Sequence, residues 1–182
     1  RISATRSDRR AGKMKIVAIT GNVSRPSKTR ALGEYALSSV PPGHARYLFD
    51  LVDVLPVLGT TLWRSEAPAG LANVLDAIQS SDVLVVGTPV FKSSMTGLLK
   101  HLFDLFEMTA LQGKHVLIFA TGKAEAHGEH VEAHLRSLMC FFKAEIRGDF
   151  IYAMDGDFPD SAPSAELRER VDRQLARTLG HV

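Results

Sequence analysis

The chain has 182 residues, 45% of them hydrophobic and 23% charged, a balance that fits one globular domain with a sizeable core and excludes a disordered or fibrous polypeptide. Its formal charge of +2 is a poor guide to partners, because Arg1, Arg6, Arg9, Arg10 and Lys13 stand against Asp8 alone, which puts +4 on residues 1–13 and leaves −2 for the rest. Positive charge gathered on a tail is not the folded patch of a nucleic-acid module, and no apolar run approaches the ~20 residues of a membrane span.

Residues 1–13 lack an apolar h-region and are read as a disordered extension, with Met14 as a natural start and 14–182 as one domain. A strand is predicted over 16–20, then a helix over 27–40 that brings Leu32, Tyr35 and Ala36 together and stops at Pro41 and Pro42. A second strand over 46–50 follows, then a helix over 68–80 on which Leu71, Val74, Leu75 and Ile78 recur at steps of three and four. The third strand, 83–86, leads into a helix over 95–108 that turns Leu98, Leu99, Leu102, Phe103, Leu105 and Phe106 inward. A strand over 116–120, a helix over 127–142, a strand over 146–152 and a helix over 165–179 complete five βα repeats. Runs such as Val83-Leu84-Val85-Val86 imply burial on both faces, hence an α/β doubly wound, five-stranded parallel sheet with helices on both faces. Ligands in such folds lie beyond the carboxyl ends of the strands, where the strand order reverses.

Three loops fall there. The first, residues 21–29, opens a helix and offers the hydroxyls of Ser24, Ser27 and Thr29 with the charge of Arg25, a set that fits a terminal phosphate at a helix start. With one glycine it is neither a G-x-G-x-x-G dinucleotide loop nor a triphosphate P-loop, and Ser27 can equally be a plain helix cap. The second loop begins Thr88-Pro89-Val90-Phe91-Lys92, whose backbone can follow the edge of a planar ring, with Lys92 favouring negative charge on it; alternatively Phe91 only plugs the top of the sheet. The third, Thr121-Gly122-Lys123, has a glycine that permits close backbone approach.

Cys140 is alone, so no internal disulfide is possible, and it reads as a small hydrophobe on a packed helix. A reducing, cytoplasmic setting fits it. His127, His130 and His134 share a helical face. Without a fourth ligand they are read as a partly exposed or subunit-facing surface, so no metal is expected. Hydrolase and zinc-enzyme motifs are missing.

These loops, together with Leu58-Gly59-Thr60-Thr61-Leu62, Ala67-Pro68-Ala69, the run Gly97-Leu98-Leu99-Lys100-His101-Leu102-Phe103-Asp104-Leu105, Ala120-Thr121-Gly122 and Phe141-Phe142-Lys143-Ala144, carry a resemblance over nearly all of 14–179. The chain resembles the flavodoxin-like, NAD(P)H-dependent FMN reductases, in particular the reductase components of two-component alkanesulfonate and methanesulfonate monooxygenases. The resemblance implies that Ser24, Arg25, Ser27 and Thr29 hold the FMN phosphate, while Pro89, Val90, Phe91, Lys92, Thr121, Gly122 and Lys123 surround the ring. It implies hydride transfer from NADPH or NADH with no acid or base side chain, a homotetramer, and delivery of reduced flavin to a partner monooxygenase in sulfur scavenging. The alternatives are a flavodoxin-like electron carrier and an FMN-bound quinone or azo reductase. Two departures stand out. Lys123 occupies a place where relatives usually have a second glycine, and Ala133 stands where sulfonate-linked relatives insert a Tyr or His that disturbs the helix, with His134 one residue later.

Overall fold

The structure, a computed structural model, describes residues 13–180. The extension expected over 1–13 therefore lies almost wholly outside the described residues.

The strands are β1 (Lys15–Thr20), β2 (Ala45–Asp50), β3 (Val83–Pro89), β4 (His115–Gly122), β5 (Glu145–Ile146) and β6 (Ile151–Met154). The helices are α1 (Lys28–Ser38), α2 (Leu55–Leu58), α3 (Ala69–Gln79), α4 (Gly97–Asp104), α5 (Gly128–Phe141) and α6 (Ala165–Leu179). All pairings are parallel, in the order β2-β1-β3-β4-β5, with β6 continuing beside β4.

Alternation along each strand decides which side chain meets which layer. Ile16, Ala18, Val83, Val85, Leu117 and Phe119 face α1 and α6, where Leu32, Leu167 and Val171 close over them. Val17, Ile19, Leu84, Val86, Val116 and Ile118 face the opposite layer, with Leu71 and Leu75 of α3, Leu99 and Phe103 of α4, and Val131 and Leu135 of α5. A sheet apolar on both faces is buried by this arrangement, as the sequence required.

The expected helix over 95–108 is shorter. It ends at Asp104, although Leu105 and Phe106 stay buried beyond it. The fifth strand is not one segment but two. The register is His115↔Glu145 and Val116↔Ile146 before the break and Phe119↔Ile151 after it, so two residues of β4 face the four residues 147–150. Gly148 sits in that excess at φ +83°, with the place of a Cβ only 3.0 Å from Gln174 Oε1, so glycine alone fits without strain. Cys140 is exposed rather than packed, because the buried stripe of α5 runs through Val131, Leu135, Leu138 and Met139. Among the described residues no helix is long and apolar enough to cross a membrane.

Candidate functional site

The strand order reverses between β1 and β3: the chain leaves β1 into α1 on one face and leaves β3 into α4 on the other. The three loops expected to carry the site meet above this point and are joined by hydrogen bonds. Gly21 N donates to Gly87 O at 2.8 Å, Thr96 Oγ1 donates to Gly21 O at 2.9 Å, and Val90 N donates to Thr121 O at 2.8 Å. Thr29 Oγ1 and Thr121 Oγ1 lie 2.6 Å apart, tying the first loop to the third.

The first loop leads into α1, where Ser27 is the N-cap and its hydroxyl accepts from Arg30 N at 3.2 Å. The first-turn amides ahead of Arg30 have no acceptor within the helix, as at any helix start, and favour an anion. Ser24 and Arg25 are exposed on the same loop. Thr29 is buried and its hydroxyl is already engaged, so only its backbone amide remains for an anion.

Arg25 has unexpected partners. Its Nε donates to Asp50 Oδ2 at 2.8 Å, and its Nη2 donates to Asp50 Oδ1 at 2.5 Å and to Asp53 Oδ1 at 2.6 Å. These carboxylates raise its pKa. The Asp50 side chain is fully buried at the end of β2 and also accepts from Asn22 Nδ2 at 3.0 Å and Arg30 Nη1 at 2.9 Å. Burial alone pushes its carboxyl up, but the donors from Arg25, Asn22 and Arg30 outweigh this and hold it below the usual carboxylate range. Asn22 is 3% exposed. Its amide nitrogen is fixed by Ser24 O and Asp50, and its Oδ1 is buried with no hydrogen-bond partner among the described residues. A buried acceptor left open beside a helix start suits a ligand bearing hydroxyl donors as well as a phosphate.

The second loop folds on itself. Phe91 N donates to Ser94 O at 2.9 Å and Ser94 N to Phe91 O at 3.1 Å, closing a tight turn with Lys92 at φ 51° and Ser93 at φ 65°. Phe91 is about half exposed at its corner, so it does not plug the sheet. The turn is strapped to α5: Ser93 Oγ lies 2.8 Å from His130 Nδ1, and Ser94 Oγ 2.8 Å from His134 Nδ1. The helix is regular through His134, without the disturbance that an inserted aromatic brings. Among the described residues no three His, Cys, Asp or Glu side chains gather as a metal site.

In the third loop a Cβ on Gly122 would lie 2.1 Å from Tyr152 Oη, so the glycine makes room for a tyrosine of β6. Tyr152 Oη donates to Ala124 O at 2.7 Å, and partial burial raises its pKa. Lys123 is exposed near Asp155, whose carboxyl is held down chiefly by its hydrogen bond from Lys28 at 2.9 Å.

Sequence reading thus finds the three loops but misses Asn22, Asp50, Asp53 and Tyr152. Asp50 left a trace: it is a charge closing an apolar strand, at the same height in the sheet as Thr20.

A family model described as NADPH-dependent FMN reductase matches residues 14–158. An FMN reductase (NADPH) of Pseudomonas aeruginosa is 42% identical over 147 residues, covering 79% of this chain and 78% of the relative. An NADH-dependent FMN reductase, SfnF, of Pseudomonas fluorescens is 39% identical over 162 residues, covering 87% and 86%. The crystal structure of an NADH:FMN oxidoreductase, EmoB, in its apo form superposes with a TM-score of 0.81 at 28% identity, covering 93% of this chain and 90% of that one. An archaeal flavodoxin, at TM-score 0.65 and 13% identity, shares the fold. The site at the β1/β3 reversal is therefore carried by a chain that belongs to the NADPH-dependent FMN reductase family.

Proposed function

We propose that the protein uses NADPH or NADH to reduce FMN, binds the FMN phosphate at the start of α1 and its ring along the second and third loops, and releases reduced flavin to a partner monooxygenase. The observation that carries the reading is the knitting together of the three loops over the β1/β3 reversal, with an anion-favouring helix start at one side and the backbone of residues 89–94 at the other. When bound, FMN supplies a ring that accepts a hydride from the nicotinamide.

The chain's own residues bind and orient. Ser24, Ser27, Arg25 and the amides of Lys28 and Thr29 hold the phosphate. The strapped turn from Phe91 to Ser94 fixes the wall beside the ring, and Thr121 and Gly122 fix its floor through Val90 N and Tyr152. Lys92 and Lys123, both exposed, lie at the rim. No side chain is asked to act as acid or base, so catalysis is alignment.

Transfer to a monooxygenase, and a role in sulfur scavenging, are supported by the likeness of residues 88–92 and 97–105 to reductase components of two-component systems. A homotetramer is supported by the groove of about 740 Å³ between α4 and α5, where Phe103, Phe106, Leu138 and Phe142 are joined by the exposed Met108 and Phe141. A cytoplasmic setting is supported by the single, unpaired Cys140.

Two measurements test the reading. Arg25→Ala is expected to weaken FMN binding about ten- to a hundredfold while leaving riboflavin unchanged; equal losses for both flavins would move the phosphate elsewhere. Anaerobic mixing of trace protein with NADPH or NADH and excess FMN is expected to bleach many equivalents of flavin, whereas a carrier would stop at one.

A further inference from the structure

If the phosphate lies at the start of α1, as proposed above, Arg25 is an exposed cation on the loop that opens that helix, and two carboxylates of unequal character already hold it. Asp50 cannot let go. Its side chain is wholly buried and is gripped from three sides, by Arg25 through two nearly parallel bonds, by Asn22 and by Arg30. Asp53 is a different kind of partner. It lies on the short turn after β2 with its side chain 39% exposed, and it takes only the outer nitrogen Nη2, at 2.6 Å. Its remaining bond, from Asp50 N to Oδ2, is long at 3.3 Å.

We propose that Asp53 is a built-in competitor for Arg25, a surface carboxylate that occupies the guanidinium edge needed by the flavin phosphate, so that FMN is held loosely enough to exchange. Asp50 is the positioning residue of the pair, fixing the guanidinium plane whether or not a ligand is present.

The charge arithmetic runs the same way. Arg25 and Arg30 face Asp50, Asp53 and, through Arg30 Nε, Glu34. The cluster therefore has no surplus positive charge for a dianion, and of the two carboxylates that hold Arg25 the half-exposed Asp53 is easier to displace than the buried Asp50. An incoming phosphate both repels Asp53 and offers Arg25 a stronger acceptor, whereas riboflavin does neither. Asp50 and Asp53 engage Nε and Nη2, so a phosphate that takes Nη1 gains a two-point grip on Arg25 only by evicting Asp53 from Nη2, and the flavin is bound more weakly than by the same loop without the acid. This suits a flavin that arrives oxidised and leaves reduced.

The test is titration of FMN and riboflavin, followed by flavin fluorescence, for wild type, Asp53→Asn and Asp50→Asn at low and high salt. The asparagine at 53 keeps an acceptor for Asp50 N and loses the charge. Asp53→Asn is expected to bind FMN about two- to fivefold more tightly, the range for a half-exposed charge pair, with riboflavin unchanged and the gain shrinking as salt screens it. Asp50→Asn is expected to do the opposite, weakening FMN by about tenfold or more through loss of the anchor. Wild type that prefers FMN to riboflavin, combined with an Asp53→Asn variant that binds FMN no more tightly, overturns the competitor and leaves the phosphate site standing. Wild type with no preference for FMN overturns both. A gain shared equally by riboflavin also overturns the proposal, since it would then owe nothing to the phosphate.

Discussion

Gly122 has no space for a side chain, since Tyr152 Oη stands 2.1 Å from where a Cβ would be and Tyr152 Cζ stands 2.9 Å away. Gly122→Ala is therefore expected to destabilise the fold by about 1–3 kcal/mol, the usual cost of overpacking, and to break the bond from Tyr152 to Ala124. In a Tyr152→Phe background the same substitution is expected to cost less, because the nearest atom is gone; urea unfolding of the four proteins measures the difference, and equal costs would show that the hydroxyl is not the obstacle. The neighbouring Lys123 is exposed, and its charge acts on Asp155, the carboxylate that accepts from Lys28. Spectroelectrochemical titration of FMN-loaded Lys123→Met is accordingly expected to give a two-electron potential within about 10 mV of wild type, a third of the roughly 30 mV that a tenfold change represents. A drop of 30 mV or more would place the ammonium against the ring instead.

The turn between β3 and α4 shows how a loop is made rigid enough to shape a site. Two non-glycine residues in the left-handed region, Lys92 and Ser93, carry a conformational cost of about 1 kcal/mol or more each, and the bonds from Ser93 and Ser94 to His130 and His134 offset it. Those histidines are one helical turn apart, so both reach the same turn from α5. His130→Ala and His134→Ala are each expected to lower stability by about 0.5–1.5 kcal/mol and to leave pre-steady-state hydride transfer within about tenfold, about 1.4 kcal/mol of barrier. A thousandfold loss in either would make that histidine a participant in the reaction.

This strap also marks where sequence reading stops. The helical spacing of His127, His130 and His134 was legible, as were the apolar strands, the Ser27 cap and the three loops, because each is a local pattern in the chain. The partners were not. Ser93 and His130 are 37 residues apart, Arg25 and Asp50 are 25 apart, and only the parallel stacking of strands brings them together. The break in the fifth strand was illegible for the same reason. Residues 146–152 look like one extended run until the register against β4 and the contact of Gly148 with Gln174 are known.

For the molecule as a whole, the buried Asp50 ties stability to acidity. Its folded-state pKa lies below the ordinary carboxylate value of 3.8, so its contribution is complete above that value and disappears as the pH falls through the lower, folded one. Urea midpoints are expected to hold steady near neutrality and to decline below about pH 4. Asp50→Asn is expected to lose about 3 kcal/mol at pH 7, as when a buried ion pair is broken, and to show a flatter decline in acid; an unchanged acid limb would assign the titration to other carboxylates. The split outer strand has a different consequence for the whole molecule. A sheet that ended on one long straight strand would offer a row of open amides and carbonyls to any passing chain. Here the row is interrupted by the four residues 147–150, with Thr178 Oγ1 donating to Arg147 O at 2.7 Å and Asp149 N donating to Gln174 Oε1 at 2.8 Å, so that α6 fastens the interruption in place. The surplus residues act as a guard against edge-to-edge aggregation, and a variant shortened by two residues there would trade that protection for a smoother template.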